Sequence, residues 1–246
     1  MDIAQILEEL AYDTGELPRE AIESAIAKRE LITPHLLKIL EEALLQIEEV
    51  IEQDDYQGHL YAMYLLAQFR EARAYPLIIR LLSFPGDLPH AIAGDVLTED
   101  LSRILASVSR GDLIPLQKTI ENSQLNEYVR GACQTSLVTL VGCRQVARDE
   151  IISYFKTLFD YKLERRPSFV WDNLVAACCD LYPLELHQEI SQAFKEGLID
   201  RSFISLSDVQ TILSKQKEEH LFSLFQKAEL IEDTVTEMEK WISPVL

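Results

Sequence analysis

Apolar residues recur along the chain at three- and four-residue spacing, the period of helices that turn one face to a core. Residues 3–11 (IAQILEELA) carry the first such stripe, and Asp13-Thr14-Gly15 supplies turn chemistry to end it. Pro18 suits a first helical turn, where its missing N–H costs nothing, and the helix it opens continues through Ile22, Ala25 and Ile26. Thr33-Pro34 reads as another start of this kind, with Thr33 as N-cap and Pro34 in first position. The stripe Leu36, Leu40, Leu44, Ile47 and Ile51 then predicts a five-turn helix. Its glutamates, Glu41, Glu42, Glu48, Glu49 and Glu52, fall mainly on the solvated side.

After the breaker Asp54-Asp55, residues 56–70 (YQGHLYAMYLLAQFR) are apolar around most of the circumference, which predicts a helix flanked by others. Glu71-Ala72-Arg73 allows a tight reversal into 74–83, and residues 84–89 (FPGDLP) forbid continuation. The pattern returns at Ser102. Aligning YLLAQFREARAYPLIIRLL with RILASVSRGDLIPLQKTI sets Ala67 on Ala106 and Pro76 on Pro115, both 39 residues apart. A third copy (SLVTLVGCRQVARDEIISYFKTL) follows by about 33 and a fourth (LVAACCDLYPLELHQEISQAF) by about 38, with Pro183 opening its second helix. The tetratricopeptide Trp/Gly/Tyr pattern is missing, and a proline near the start of each second helix fits HEAT-like units. Such a hairpin cannot bury its apolar face alone, so copies must stack. Residues 205–227 and 230–242 read as two closing helices.

The predicted fold is therefore all-α, an α-α superhelix or HEAT-like helical-repeat solenoid of about 12 helices. We read one domain, 1–246. Acidic capping helices occupy 1–55, hairpins 56–200 and closing helices 201–246.

Composition sharpens this reading. Apolar residues make up 48%, with 8 Gly and 9 Pro, as in a globular chain. The net charge of −18 is uneven: residues 1–60 carry −11, 61–110 carry 0, 111–170 carry +1 and 171–246 carry −8. An acidic total repels phosphate backbones and argues against nucleic-acid partners. The first twenty residues lack the basic start and apolar core of a secretory signal. No run of about 18 uncharged apolar residues predicts a membrane span. Cys133, Cys143, Cys178 and Cys179 have no C-x-x-C spacing and read as reduced core thiols of a cytoplasmic protein.

Chemical motifs are sparse. Asp95 and Glu99 share a helix face at i,i+4 and, with Thr98, could bind a metal or a basic partner; alternatively Thr98 or Asp95 caps the helix. Asp55 and His59 make half a metal site with no second pair of ligands, so the simpler reading is a polar contact at a helix start. No nucleophile elbow or Gly-rich phosphate loop occurs. We expect no catalytic residue, metal or cofactor. Arg70, Arg73, Arg80, Arg103 and Arg110, with Arg144 and Arg148, fall at comparable places in successive hairpins. They could form a ladder facing an acidic partner or pair with the chain's own carboxylates.

The segments AYDTGELPREAIESAIAKRELITPHLLKIL, GHLYAMYLLAQFREARAYPLIIRLLSFPGDLP and GDVLTEDLSRILASV resemble the bacterial domain-of-unknown-function 1186 family. The resemblance covers nearly the whole chain and is clearest over 11–115. It implies a HEAT-like helical fold and no established activity. Some members carry a cysteine-rich metal-binding tail, which is missing up to Leu246.

The leading expectation is a non-enzymatic module holding a protein or peptide on a surface built from His59, Arg70, Arg73, Asp95, Thr98, Glu99 and Arg103. The alternatives are a small enzyme or metal protein centred on Asp95 and Glu99, and a self-associating structural subunit.

Overall fold

A computed structural model describes residues 1–53 and 55–241. Among them the chain forms seventeen α-helices and no strand. The first helix, α1 (Ile3–Ala11), starts at Asp2, whose carboxylate accepts the Gln5 N–H while the Gln5 side chain accepts the Asp2 N–H, both at 2.9 Å. Helix α2 (Arg19–Ala27) follows Pro18. Helix α3 (Arg29–Leu45) does not start at Thr33-Pro34; it runs straight through them. Pro34 gives up one ladder hydrogen bond, and the Thr33 hydroxyl donates to the Arg29 carbonyl (2.7 Å) instead of capping. Burial of Ile32, Leu36 and Leu40 outweighs that loss. The five-turn stripe also divides: Gln46 interrupts it before α4 (Ile47–Glu52).

Four hairpins follow. They are α5 (Gly58–Gln68) with α6 (Ala74–Leu81), α9 (Leu101–Ser109) with α10 (Ile114–Glu121), α11 (Glu127–Gly142) with α12 (Arg148–Thr157), and α13 (Phe169–Asp180) with α14 (His187–Lys195). Two short helices, α7 (Leu88–Ala93) and α8 (Val96–Glu99), fill the connector after the first hairpin. The first helices pack in series, α3 on α5, α5 on α9, α9 on α11 and α11 on α13, and form an inner layer. Second helices cover one side of it. The other side meets α16 (Lys217–Lys227) and α17 (Thr234–Glu239). Cover on both sides explains why every residue of α5 from Tyr61 to Ala67 is buried.

Each first helix ends on a residue in the left-handed region: Arg70 (φ 55°), Arg110 (51°), Arg144 (58°) and Tyr182 (63°), at intervals of 40, 34 and 38 residues. Side chains seldom adopt this conformation, but it lets the next N–H reach back. Glu71 N–H donates to the Leu66 carbonyl (3.0 Å) and Gln145 N–H to Leu140 (2.9 Å). Arginines also close these ends: Arg110 Nε donates to the Arg70 carbonyl at 3.2 Å, and Arg148 Nε to the Leu181 carbonyl at 2.6 Å.

The closing segment holds three helices where two were expected. Ser214-Lys215-Gln216 separates α15 (Leu206–Leu213) from α16, residues 228–233 are extended, and α17 packs on α2 and α5. Ile242 lies outside the described residues. Gly142 of α11 makes room for this return, because a Cβ there would overlap that of Ala228. Buried apolar side chains form one connected core from Ile6 to Met238.

Candidate functional site

The extended segment 228–233 and α17 lie as a strap against the inner layer, and Arg103 of α9 is the hub that holds them. Its Nη1 donates to Asp100 (3.0 Å) and Glu237 (2.8 Å), and its Nη2 to Glu237 (2.7 Å) and Glu229 (3.1 Å). The same guanidinium reaches the carbonyls of Glu229 and Leu230, both at 3.3 Å. Burial opposes its charge, but Glu237, Asp100 and Glu229 together hold its pKa above the usual arginine value. Burial likewise raises the Glu237 carboxyl, and Arg103 and Lys240 reverse that and hold it below its ordinary value. Asp100 also accepts the Tyr64 hydroxyl (2.7 Å), which in turn accepts Trp241 Nε1 (3.1 Å).

Arg70 holds the next residues. Its Nη1 donates to the Ile231 carbonyl (2.6 Å), and its Nη2 pairs with Glu232. The Ser107 hydroxyl accepts the Ile231 N–H (2.9 Å), and Gln68 Oε1 accepts the Thr234 N–H (2.9 Å). Leu230 and Ile231 are buried anchors. The strap is thus held through its main chain, its carboxylates and two apolar side chains, which is how grooves hold peptides. Beside it opens a cavity of about 670 Å³, walled by Ser102 and Arg103 of α9, Thr135 and Thr139 of α11, and His220, Ser223 and Lys227 of α16.

The expected site residues divide accordingly. Arg70 and Arg103 meet at the strap, where they pair with the chain's own carboxylates. Asp95 and Glu99 are exposed and line one recess of about 340 Å³ with Asp100, Lys240 and Trp241. Thr98 does not cap: its hydroxyl donates to the Asp95 carbonyl (3.2 Å), and Asp95 makes no side-chain cap. Arg73 points to solvent and pairs with Glu71, whose carboxyl it holds down at about 2. Tyr64, Gln68, Asp100, Ser107 and Glu237 do the holding and were not singled out by spacing. The one local signal was Asp100, three residues before Arg103 on the same helix face.

His59 is buried away from that network. Its Nε2 donates to the Ile92 carbonyl (2.7 Å), its ring stacks on Tyr56, and its Nδ1 has no partner among the described residues. Burial lowers its pKa. The unfolded chain, titrating near the ordinary value of about 6.5, therefore takes up the proton first. His59 contributes stability that is fully present above that value and lost as pH falls toward the lowered folded one. Thermal unfolding between about pH 7.5 and 5.5 should show Tm falling on acidification, with a shallower fall in His59→Gln. Equal slopes would contradict the assignment.

Among the described residues no group of three or more His, Cys, Asp or Glu is arranged to hold a metal ion. Burial pushes the Cys133 and Cys179 thiols up to about 12, so both stay protonated at neutral pH.

A family model described as "Protein of unknown function (DUF1186)" matches residues 1–244. The chain belongs to the DUF1186 family. Two similar proteins, from Chlamydia muridarum and Chlamydia trachomatis, are each 58% identical over 243 residues and carry the description "Uncharacterized protein". The alignments span 98% of this DUF1186 chain and 97% and 96% of the relatives, so the strap and its arginines lie within the shared length. No solved structure matches the chain.

Proposed function

We propose that this DUF1186 chain is a non-enzymatic, HEAT-like helical-repeat module of one domain that binds a protein or peptide segment along its inner layer. One observation carries this reading: the inner layer already holds an extended acidic segment, residues 228–233, through Arg70, Arg103 and Ser107, with Gln68 holding the start of α17 that follows it. A partner segment would continue into the adjoining cavity, where Ser102, Thr135, Thr139 and Lys227 offer further polar groups. The four free cysteines support a cytoplasmic setting. No described helix is long and apolar enough to cross a membrane. Neither a carboxylate-centred chemical site at Asp95 and Glu99 nor a self-associating role has an observation that favours it.

The test is photo-crosslinking in cells with a reactive residue at Ser223 or Thr139 on the cavity wall, against exposed Arg80 on α6. Discrete adducts should form from the cavity positions, weaken with Lys227→Glu, and be missing from Arg80. Adducts equal at all three positions, or none from the cavity, would remove the inner layer as the binding surface.

A further inference from the structure

A second surface, independent of the strap and its cavity, lies where α11 and α13 begin. Tyr128 and Phe169 stand in the first turns of these helices, and Phe203 in the turn before α15. Successive hairpins bring them into one row, with ring centroids 4.7 Å apart for Tyr128–Phe169 and 5.6 Å for Phe169–Phe203. The middle ring is seated by Gly131, where a Cβ would come within 2.7 Å of it. Tyr128 is nonetheless 43% exposed and Phe203 51%. Single exposed apolar side chains are ordinary, but contiguous rings open to solvent mark an interaction site.

Carboxylates border the row. Glu127 accepts the Phe169 N–H (2.7 Å), Asp172 accepts the Asp200 N–H (2.7 Å), and Asp200 closes the turn that carries Phe203. Among the described residues none of the three has an ion-pair partner. The bases on the neighbouring loop, Arg165 and Arg166, pair instead with Glu196 and Glu164. Burial raises the Asp172 carboxyl, and the charges of Asp200 and Glu127 add to the rise. Carboxylates and open rings therefore coincide, and Arg201, exposed in the turn that carries Phe203, makes no ion pair with any of the three among the described residues.

We propose that this edge docks an extended, arginine- or lysine-rich segment of a partner protein, its cations stacking on Tyr128, Phe169 and Phe203 and facing Glu127, Asp172 and Asp200. Cations bind the faces of aromatic rings, and nearby carboxylates add to the attraction. The row is open and follows the stacking direction, which suits an extended chain better than a small enclosed cation. A second copy would bring the same acidic surface and a net charge of −18, so a basic partner is the better fit.

The experiment uses the full chain and fluorescence anisotropy with a labelled peptide of alternating arginine and glycine, beside its glutamate counterpart. Saturable binding of the arginine peptide is expected, weakened about tenfold by Tyr128→Ala with Phe203→Ala. Glu127→Gln, which keeps an acceptor for the Phe169 N–H, should weaken it several-fold, and the glutamate peptide should not bind. Absence of saturable binding would overturn the proposal. So would binding that the double variant leaves unchanged, since that is attraction to net charge alone. Self-association of the wild type that the same variants abolish would assign the row to a second copy instead. Should the aromatic variant unfold, Glu127→Gln alone decides.

Discussion

Replacing Arg103 by alanine should lower the free energy of unfolding by about 3–5 kcal/mol in urea denaturation at neutral pH. Asp100 and Glu237 are each only 5% exposed, and without the guanidinium both remain in the interior with their main countercharge gone. The loss comes less from the ion pairs themselves, which must repay the cost of dehydration, than from leaving carboxylates buried alone. Arg73→Ala supplies the contrast: that side chain is 66% exposed, and its removal should change stability by no more than about 0.5 kcal/mol. Fluorescence separates a local effect from a global one. Trp171 is fully buried in the hairpins, whereas Trp241 is bonded to Tyr64 at the strap. A red shift preceding the main transition in Arg103→Ala would report release of the strap. A loss below about 1 kcal/mol would mean that water already meets the needs of Asp100 and Glu237.

Arg130→Ala should cost a similar amount, about 3–5 kcal/mol, for a related reason. Arg130 is 1% exposed. It forks onto both oxygens of Glu164 (2.6 and 2.9 Å) and donates Nε to the Ile120 carbonyl (2.9 Å), which ties α10, α11 and the loop before α13 together. The Glu164 carbonyl in turn accepts Trp171 Nε1 (2.9 Å). Lysine cannot reproduce the planar fork, so Arg130→Lys should recover less than half of the loss. Arg130→Met with Glu164→Leu should be more stable than Arg130→Ala, because it removes both charges and refills the space. A double variant less stable than the single one would show that the pair itself, and not the orphaned carboxylate, carries the effect.

The helical hairpins were legible because they are local. The offsets of 39, about 33 and about 38 residues came from apolar periodicity and prolines, and the left-handed ends of the first helices fall at intervals of 40, 34 and 38. Misread elements were those in which packing overruled a local cue. Thr33-Pro34 has the chemistry of a helix start, yet α3 continues because its apolar face is buried on α5 and α6. The break at Ser214-Lys215-Gln216 contains neither glycine nor proline, so nothing in its composition announced it. Arg70 and Arg103 stood out in the sequence, but the groups they hold did not, since Arg103 and Glu237 are 134 residues apart, and the neighbouring Tyr64 and Trp241 are 177 apart. Sequence spacing also cannot distinguish the solvated Asp95 and Glu99 from the buried Asp100 beside them.

The strap has a mechanical consequence. A stacked array of hairpins ordinarily comes apart at its termini, where each outermost unit has one neighbour fewer. Here α17 rests on α2 and α5, and Glu239 pairs with Arg19, so the last helix is clipped to the second. Peeling off the N-terminal helices must break contacts with the C-terminal end as well. Those contacts join residues from 166 to 220 positions apart, so in folding they close late, after a large loop has been drawn in. The chain resembles a spring with its ends hooked together, and the stretch that fastens the hook is also the stretch that lies across its inner layer.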